Sequence, residues 1–505
     1  MSLAIVNTRA QLGVEAPSVT VEVHLSAGLP ALALVGLPEA AVRESKERVR
    51  SAIINSGFEF PQRRITINLA PADLPKEGGR YDLAIAVGIL VASGQLPANS
   101  TEHIEFLGEL ALSGELRAVT GVLPAALACK KDLHKLLIPR ASTEEASLVR
   151  GLEMRYASHL LDVCRALSGQ ASLELIVPRD TTPSTQQMQT DISDVKGQTV
   201  AKRALEIAAA GGHNLLMSGV PGSGKSMLAA RLPTLLPSLN EEERLETAAI
   251  YSVSGLSVDS ICNGIRPFRA PHHTASAAAL VGGGSTPKPG EISLAHQGVL
   301  FLDELPEFSR RVLEVLREPL ETGEILISRA ARQVAFKSRF QLVAAMNPCP
   351  CGYAGDQSGK CRCTPEQIRR YQDKLSGPLL DRLDLFVNVA ALPPETLLRL
   401  DDQVLETSAQ VRCRVTQALD RQYQRQGCRN SVIPAQRLDA VCQLQEEGRQ
   451  LLLAAATRFS LSARACHRVL KVARTIADLN SHEGVLHADV MEALGYRDGL
   501  TKAAR

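Results

Sequence analysis

Gly219-Val220-Pro221-Gly222-Ser223-Gly224-Lys225-Ser226 has the spacing of a phosphate-cradling loop: a glycine, four residues, then Gly-Lys-Ser. Before it, Asn214-Leu215-Leu216-Met217-Ser218 reads as a short buried strand, and Ser226 to Leu236 after it reads as a helix. A strand that turns through such a loop into a helix start aims several backbone N–H groups and the helix dipole at one point. Gly219, Gly222 and Gly224, with Ser223 among them, let the backbone curl round a phosphate chain. Lys225 is placed to reach the β- and γ-phosphates, and the Ser226 hydroxyl to ligate Mg²⁺. The stretch predicts an α/β core that binds a nucleoside triphosphate.

Gly298-Val299-Leu300-Phe301-Leu302-Asp303-Glu304 is an apolar run ending in two carboxylates. Such a run fits a strand buried on both faces of a parallel sheet, and ligands of these sheets bind beyond the strands' C-terminal ends. Asp303 is therefore expected to hold Mg²⁺, directly or through water, and Glu304 to polarise the attacking water. Phe340-Gln341-Leu342-Val343-Ala344-Ala345-Met346-Asn347-Pro348 is a second buried strand, ending in an amide. It resembles the first sensor of AAA+ ATPases, with Asn347 positioning water near the γ-phosphate. Taken singly, these are a strand ending in solvated acids and a turn. The order loop, acidic strand, Asn strand favours the catalytic reading.

At 505 residues the chain calls for roughly two to four domains. Apolar content of 45% suits buried cores, and a net charge of +2 means that any nucleic-acid surface is a local patch. No basic segment followed by a long apolar run opens the sequence, which argues against a secretory signal. The longest apolar run, Leu83 to Ser93, is too short to span a bilayer. Eleven cysteines in that context point to reduced thiols, and a soluble cytoplasmic protein without a membrane role is expected.

Residues 1–176 are expected to form an α+β domain. Val19 to Leu25 and Arg64 to Leu69 alternate like strands, and Glu39 to Asn55 has a helical pattern between them. Phe106 to Arg117 reads as a hairpin turning at Ser113-Gly114, with a helix near Val122 to Lys131 to follow. That order resembles the Lon-protease domain and its inactive relatives. The Lon-type nucleophilic serine is missing from Lys76-Glu77-Gly78-Gly79-Arg80-Tyr81-Asp82, and its partner lysine from Thr120-Gly121-Val122-Leu123-Pro124. A serine nucleophile needs an adjacent base, so the domain reads as a degenerate scaffold or docking surface. Residues 177–190 are polar and proline-broken, a linker. Asp194-Val195-Lys196-Gly197-Gln198 then opens a helix through Ala201 to Ala210. It resembles the segment that lies against adenine in AAA+ ATPases, with Val195 and Gly197 as contacts, which favours ATP over GTP.

Gly377-Pro378-Leu379-Leu380-Asp381-Arg382-Leu383-Asp384-Leu385 resembles the arginine-finger segment of the magnesium-chelatase and minichromosome-maintenance branch. Arg382 would then reach the γ-phosphate bound by a neighbouring copy, in a ring. Leu461-Ser462-Ala463-Arg464-Ala465 starts a helix that resembles the second-sensor helix, with Arg464 either that sensor or a solvated arginine. Pro267-Phe268-Arg269-Ala270-Pro271-His272-His273-Thr274-Ala275-Ser276 and Leu305-Pro306-Glu307-Phe308 complete a resemblance, over essentially the whole chain, to the magnesium-chelatase-like AAA+ ATPases of the ComM/YifB group. It implies a P-loop AAA+ core at 191–392 and a helical lid at 393–505. It further implies a hexameric ATP-driven motor on single-stranded and branched DNA, extending strand exchange by branch migration in natural transformation. The alternative is a chelatase-type motor that remodels a protein partner.

Two inserts carry their own signals. Arg266 to Glu291 is rich in Gly, Ala and Pro and contains Lys288, expected to contact DNA, with His272 and His273 read as hydrogen-bonding surface residues rather than metal ligands. Glu324 to Arg329 and Gln333 to Lys337 alternate as two strands around Ala330-Ala331-Arg332. Arg329, Arg332 and Lys337 charge this hairpin to match a phosphate backbone; protection of an exposed edge is the other reading. Cys349-Pro350-Cys351 and Cys361-Arg362-Cys363 could close a tetrahedron round structural Zn²⁺. Each pair has one intervening residue rather than the usual two, which leaves free thiols or a redox switch as alternatives.

Overall fold

Leu215–Ser218, Phe268–Arg269, Val299–Leu302, Gln341–Met346 and Leu385–Asn388 form one parallel sheet in the computed structural model. The structure describes residues 3–37, 39–179, 190–284, 287–329, 332–356, 359–391 and 405–497. Most of the expected linker (180–189) and the start of the expected lid (392–404) lie outside these residues. Across the sheet the order is Phe268–Arg269, Val299–Leu302, Gln341–Met346, Leu215–Ser218, Leu385–Asn388. Val299–Leu302 and Gln341–Met346 are buried at every residue, as strands covered on both faces must be. Ser218 pairs with Met346, and Leu302 with Ala344, so three C-terminal strand ends finish side by side. The Gly219 N–H donates to the Met346 carbonyl at 3.2 Å, which fixes where the loop begins. The helix after the loop is Lys225–Leu235, one residue earlier than its apolar pattern suggests, because left-handed Gly224 (φ +90°) supplies the N-cap.

Residues before the loop build a seven-stranded mixed sheet. Asp82–Ala92 packs on it and is buried at every residue. Gly88 permits that approach, since a Cβ there would lie 2.7 Å from Val23 Cγ2. The expected Glu39–Asn55 helix is broken into Ala40–Arg43 and Ser45–Asn55. Ser45 Oγ donates to the Val42 carbonyl (2.6 Å), a local bond that competes with the helical ladder. The expected hairpin is also shorter. Glu109–Leu110 pairs with Leu116–Arg117, while Ile104–Phe106 runs parallel to Lys135–Pro139 in the large sheet. Helix Val122–Lys131 shares an apolar cluster with helix Glu241–Ser254, through Leu123, Ala126, Ala248 and Tyr251. The Gly121 N–H donates to the Ser252 carbonyl at 3.1 Å across the same seam.

The C-terminal region is helical: Ser408–Gln426, Ala435–Cys442, Glu446–Phe459, Ala463–Leu479 and His487–Gly495. Among the described residues no helix is long and apolar enough to cross a membrane. Asp384, buried at the end of the parallel sheet, ties this region to the core. Its carboxylate meets His213 Nδ1 at 3.4 Å and the Arg468 guanidinium. Burial pushes the Asp384 carboxyl up, but His213 and Arg468 outweigh it and hold the group below the usual carboxylate range. The clamp therefore stabilises above the unfolded carboxylate pKa of about 3.9 and is lost as pH falls toward the folded value. Asp384→Ala is expected to cost about 2–3 kcal/mol, on the low side for a buried pair because Arg468 keeps some solvent contact. Thermal unfolding followed by helical circular dichroism checks this; an unchanged midpoint at neutral pH would show that the clamp contributes nothing.

Candidate functional site

The register places the loop, Asp303 and Asn347 at one edge. Lys225 Nζ donates to the carbonyls of Gly219 (2.7 Å) and Val220 (3.0 Å) and to Asn347 Oδ1 (3.3 Å). Ser226 Oγ donates to Asp303 Oδ2 at 2.6 Å. Burial draws the Lys225 ammonium below the usual lysine value, against Asp303 and Glu304, which pull it up. A Cβ built on Gly222 or Gly224, both at positive φ, would meet nothing within 4 Å. Ser223 Oγ is buried and has no hydrogen-bond partner among the described residues. Gly219 answers a different need, because a Cβ there would strike the Val389 carbonyl oxygen. An open glycine cradle, an internal ammonium and an unpartnered hydroxyl fit a triphosphate chain. Ser226 and Asp303 supply the hard oxygens that Mg²⁺ prefers.

Val195 is buried, and Gly197 and Gln198 are both left-handed, at φ +58° and +53°. Gln198 was not singled out by its sequence context, yet its Nε2 donates to the carbonyls of Ser223 (3.3 Å) and Ala390 (2.8 Å). It ties the segment before the first core helix to the phosphate loop. The histidine pair is also more than surface decoration. His272 Nδ1 bonds Thr274 Oγ1 (2.9 Å), the two rings stand 4.1 Å apart, and His273 Nδ1 lies 3.1 Å from Glu304 Oε2. Glu304 is itself left-handed at φ +52°, a costly conformation for a side chain that concentrates at functional sites.

The arginines divide. Arg382 is buried and engaged inside its own chain: it donates to the carbonyls of Arg317 (3.2 Å) and Pro378 (2.6 Å) and pairs with Glu321. Reaching a neighbouring copy requires release of Glu321. Arg464 is exposed in the first turn of Ala463–Leu479. Arg329 faces Arg332 across the tip of the Glu324–Arg329/Arg332–Lys337 hairpin. Lys337 stands apart from them on the same hairpin. It stands opposite Glu324 at the hairpin base and pairs with Glu246, about 17 Å from the tip at the usual strand rise. Hydrogen bonds from His296 and then from Lys337 outweigh burial and hold the Glu246 carboxyl at about 2. Lys288 is exposed on the small ribbon Gly282–Gly283/Lys288–Pro289, beside the hairpin; a Cβ on Gly282 would lie 2.9 Å from Ile327 Cδ1. The sulfurs of Cys349, Cys351, Cys361 and Cys363 lie within 4.8 Å of one another.

Residues 191–397 match the family described as magnesium chelatase, subunit ChlI. Residues 21–142 match the description subunit ChlI of Mg-chelatase, and 405–497 that subunit's C-terminal family. The chain is 52% identical over 501 residues to the competence protein ComM of Haemophilus influenzae, covering 98% of each chain. It is equally 52% identical over 499 residues to the uncharacterized protein YifB of Escherichia coli, covering 98% of this chain and 97% of that one. The chain belongs to the ComM/YifB family of magnesium-chelatase-like proteins. Membership of this AAA+ family implies ATPase activity, with nucleotide and Mg²⁺ as ligands. Within it, His273 Nδ1 stands against the carboxylate next to the Mg²⁺ candidates. An exposed pair of this kind is worth about 0.2–1 kcal/mol, so His273→Ala is expected to raise basal ATP hydrolysis up to about fivefold. Nucleotide affinity should stay unchanged. Steady-state turnover measures it, and a fall in turnover would mean that the imidazole positions Glu304 instead of restraining it.

Proposed function

We propose that this chain is an ATP-driven DNA translocase that works as a hexameric ring and promotes branch migration on single-stranded and branched DNA during recombination of DNA taken up in natural transformation. The observation that carries the reading is the arm formed by Glu324–Arg329 and Arg332–Lys337. Its tip presents Arg329 opposite Arg332. Its base buries Ile325, Ile327, Val334 and Phe336 in the same apolar cluster as Leu300 and Leu302, the strand that carries Asp303. A cationic tip on a lever rooted beside the phosphate site is suited to moving a phosphate backbone. A competence protein at 52% identity supports the same reading.

In this reading Lys225 contacts the β- and γ-phosphates, Ser226 and Asp303 hold Mg²⁺, Glu304 accepts a proton from the attacking water, and Asn347 orients that water. Mg²⁺, when bound, neutralises charge on the phosphate oxygens. Arg382 acts on the neighbouring copy once Glu321 lets go, and Arg464 is the second sensor. The N-terminal region is a degenerate Lon-like scaffold. Its Arg80 guanidinium, buried, donates to the Thr120 carbonyl at 2.6 Å and joins the two segments where a protease would keep its dyad. A chelatase-type motor acting on a protein partner is favoured only by the descriptions of the matched families.

Forked or single-stranded DNA is expected to stimulate ATP hydrolysis. Arg329→Ala/Arg332→Ala should weaken DNA binding about tenfold or more and flatten its salt dependence, while nucleotide binding survives. Unaltered DNA affinity in that variant would remove the DNA reading. Lys225→Ala and Arg382→Ala should each be inactive alone. Mixed in equal amounts they should regain activity at about a quarter of the seams, where an intact loop meets an intact arginine in a head-to-tail ring. No recovery on mixing would exclude a site shared between copies.

A further inference from the structure

We propose that Cys349, Cys351, Cys361 and Cys363 hold one Zn²⁺ and that this closed thiolate site props the phosphate loop, so that metal loading sets nucleotide affinity. The coupling rests on the nucleotide-site reading above; the metal site stands on its own geometry. Cys349 Sγ is 3.3 Å from Cys351 Sγ and 3.8 Å from Cys361 Sγ, and Cys351 Sγ is 3.6 Å from Cys361 Sγ. A tetrahedron with Zn–S bonds of about 2.3 Å has S···S edges of about 3.8 Å. These three separations lie close to that figure, Cys363 Sγ lies within 4.8 Å of the others, and all are far from the roughly 2.05 Å of a disulfide. All four corners come from the chain, which marks a structural site rather than one with an open catalytic position. The Ala354 N–H donates to Cys349 Sγ at 3.3 Å, the backbone support that metal thiolates commonly receive. Binding replaces each thiol proton by a Zn–S bond, with the protons passing to solvent.

The site is set where it can act on the nucleotide. Among the described residues between Met346 and Pro365 no helix or strand holds this segment in shape. Only Cys349 among its four cysteines is fully buried. Yet the segment starts at Asn347, the partner of Lys225. Its Gly352, left-handed at φ +88°, lies so close to the phosphate loop that a Cβ there would stand 2.7 Å from both Pro221 Cδ and Cγ and 3.9 Å from Asn347 Cγ. A cross-link that fixes residues 349–363 therefore also fixes one wall of the loop and the amide that meets Lys225.

Elemental analysis of the full-length protein, purified without chelator, is expected to give about one zinc per chain. Zinc far below that, or iron in its place, overturns the assignment. Cys361→Ser/Cys363→Ser should lose the metal and bind a fluorescent ATP analogue about tenfold more weakly or worse, with helical circular dichroism retained. Wild-type affinity in the zinc-free variant overturns the coupling. Should that variant fail to fold, zinc release from the wild-type protein by a thiol-capping mercurial gives the same answer. Linkage is reciprocal, so ATP should tighten zinc binding about tenfold in a chelator competition, and an unchanged zinc affinity overturns the coupling. Lys225→Ala should keep its zinc while losing nucleotide. Wild-type protein that holds zinc but binds no nucleotide would sink the nucleotide reading and the coupling with it, whereas nucleotide binding by zinc-free wild-type protein would sink the strut alone.

Discussion

Ser218 beside Met346 and Leu302 beside Ala344 are backbone pairings, yet the meeting of the phosphate loop, Asp303 and Asn347 depends on them. A slip of one residue in either would carry Asn347 or Asp303 about 3.3 Å along the sheet and turn each side chain to the opposite face. The ladder itself does not prevent that slip, because its hydrogen bonds repeat. What prevents it is burial on both faces. Val343 and Ala345 belong to the apolar cluster of the first core helix, and Leu342 and Ala344 to the cluster beneath the hairpin. Shifting the strand would expose both sets to the wrong neighbours.

Several cations of this molecule are paired within the chain. Arg9 is paired with Glu105, Arg425 and Arg474 share Asp478, Arg382 holds Glu321, and Lys337 holds Glu246. A tally of basic residues thus says little about what is left for a polyanion. Position says more, because the hairpin tip and Lys288 lie on neighbouring two-stranded ribbons. A cation inside needs a partner to offset its lost hydration.

The phosphate loop, the acidic strand and the Asn347 strand were legible because each is a local pattern: an apolar run of strand length that ends in a functional residue. What escaped was contact between distant parts of the chain. His273 looks like one of two adjacent surface histidines until the turn after Phe268–Arg269 brings it to Glu304. Gln198 looks like an ordinary helix entry until the loop closes on it. Lys337 shares a hairpin and a positive charge with Arg329 and Arg332, and its place at the hairpin base, with a partner at Glu246, sets it apart. Breaks inside elements were hidden for a related reason. Ser45 interrupts a helical pattern through a bond to Val42 that periodicity alone does not register.

Helix Val122–Lys131 and helix Glu241–Ser254 bury one another's apolar faces, and the turn at Leu12 to Val14 meets the hairpin base through Gly13, whose Cβ would run into Val334. The first third of the chain is therefore geared to the ATPase core at these two points. Removing it would bare Tyr251 and the hairpin's underside to water, so a truncated core would be a sticky, altered object rather than the same engine with a passenger missing.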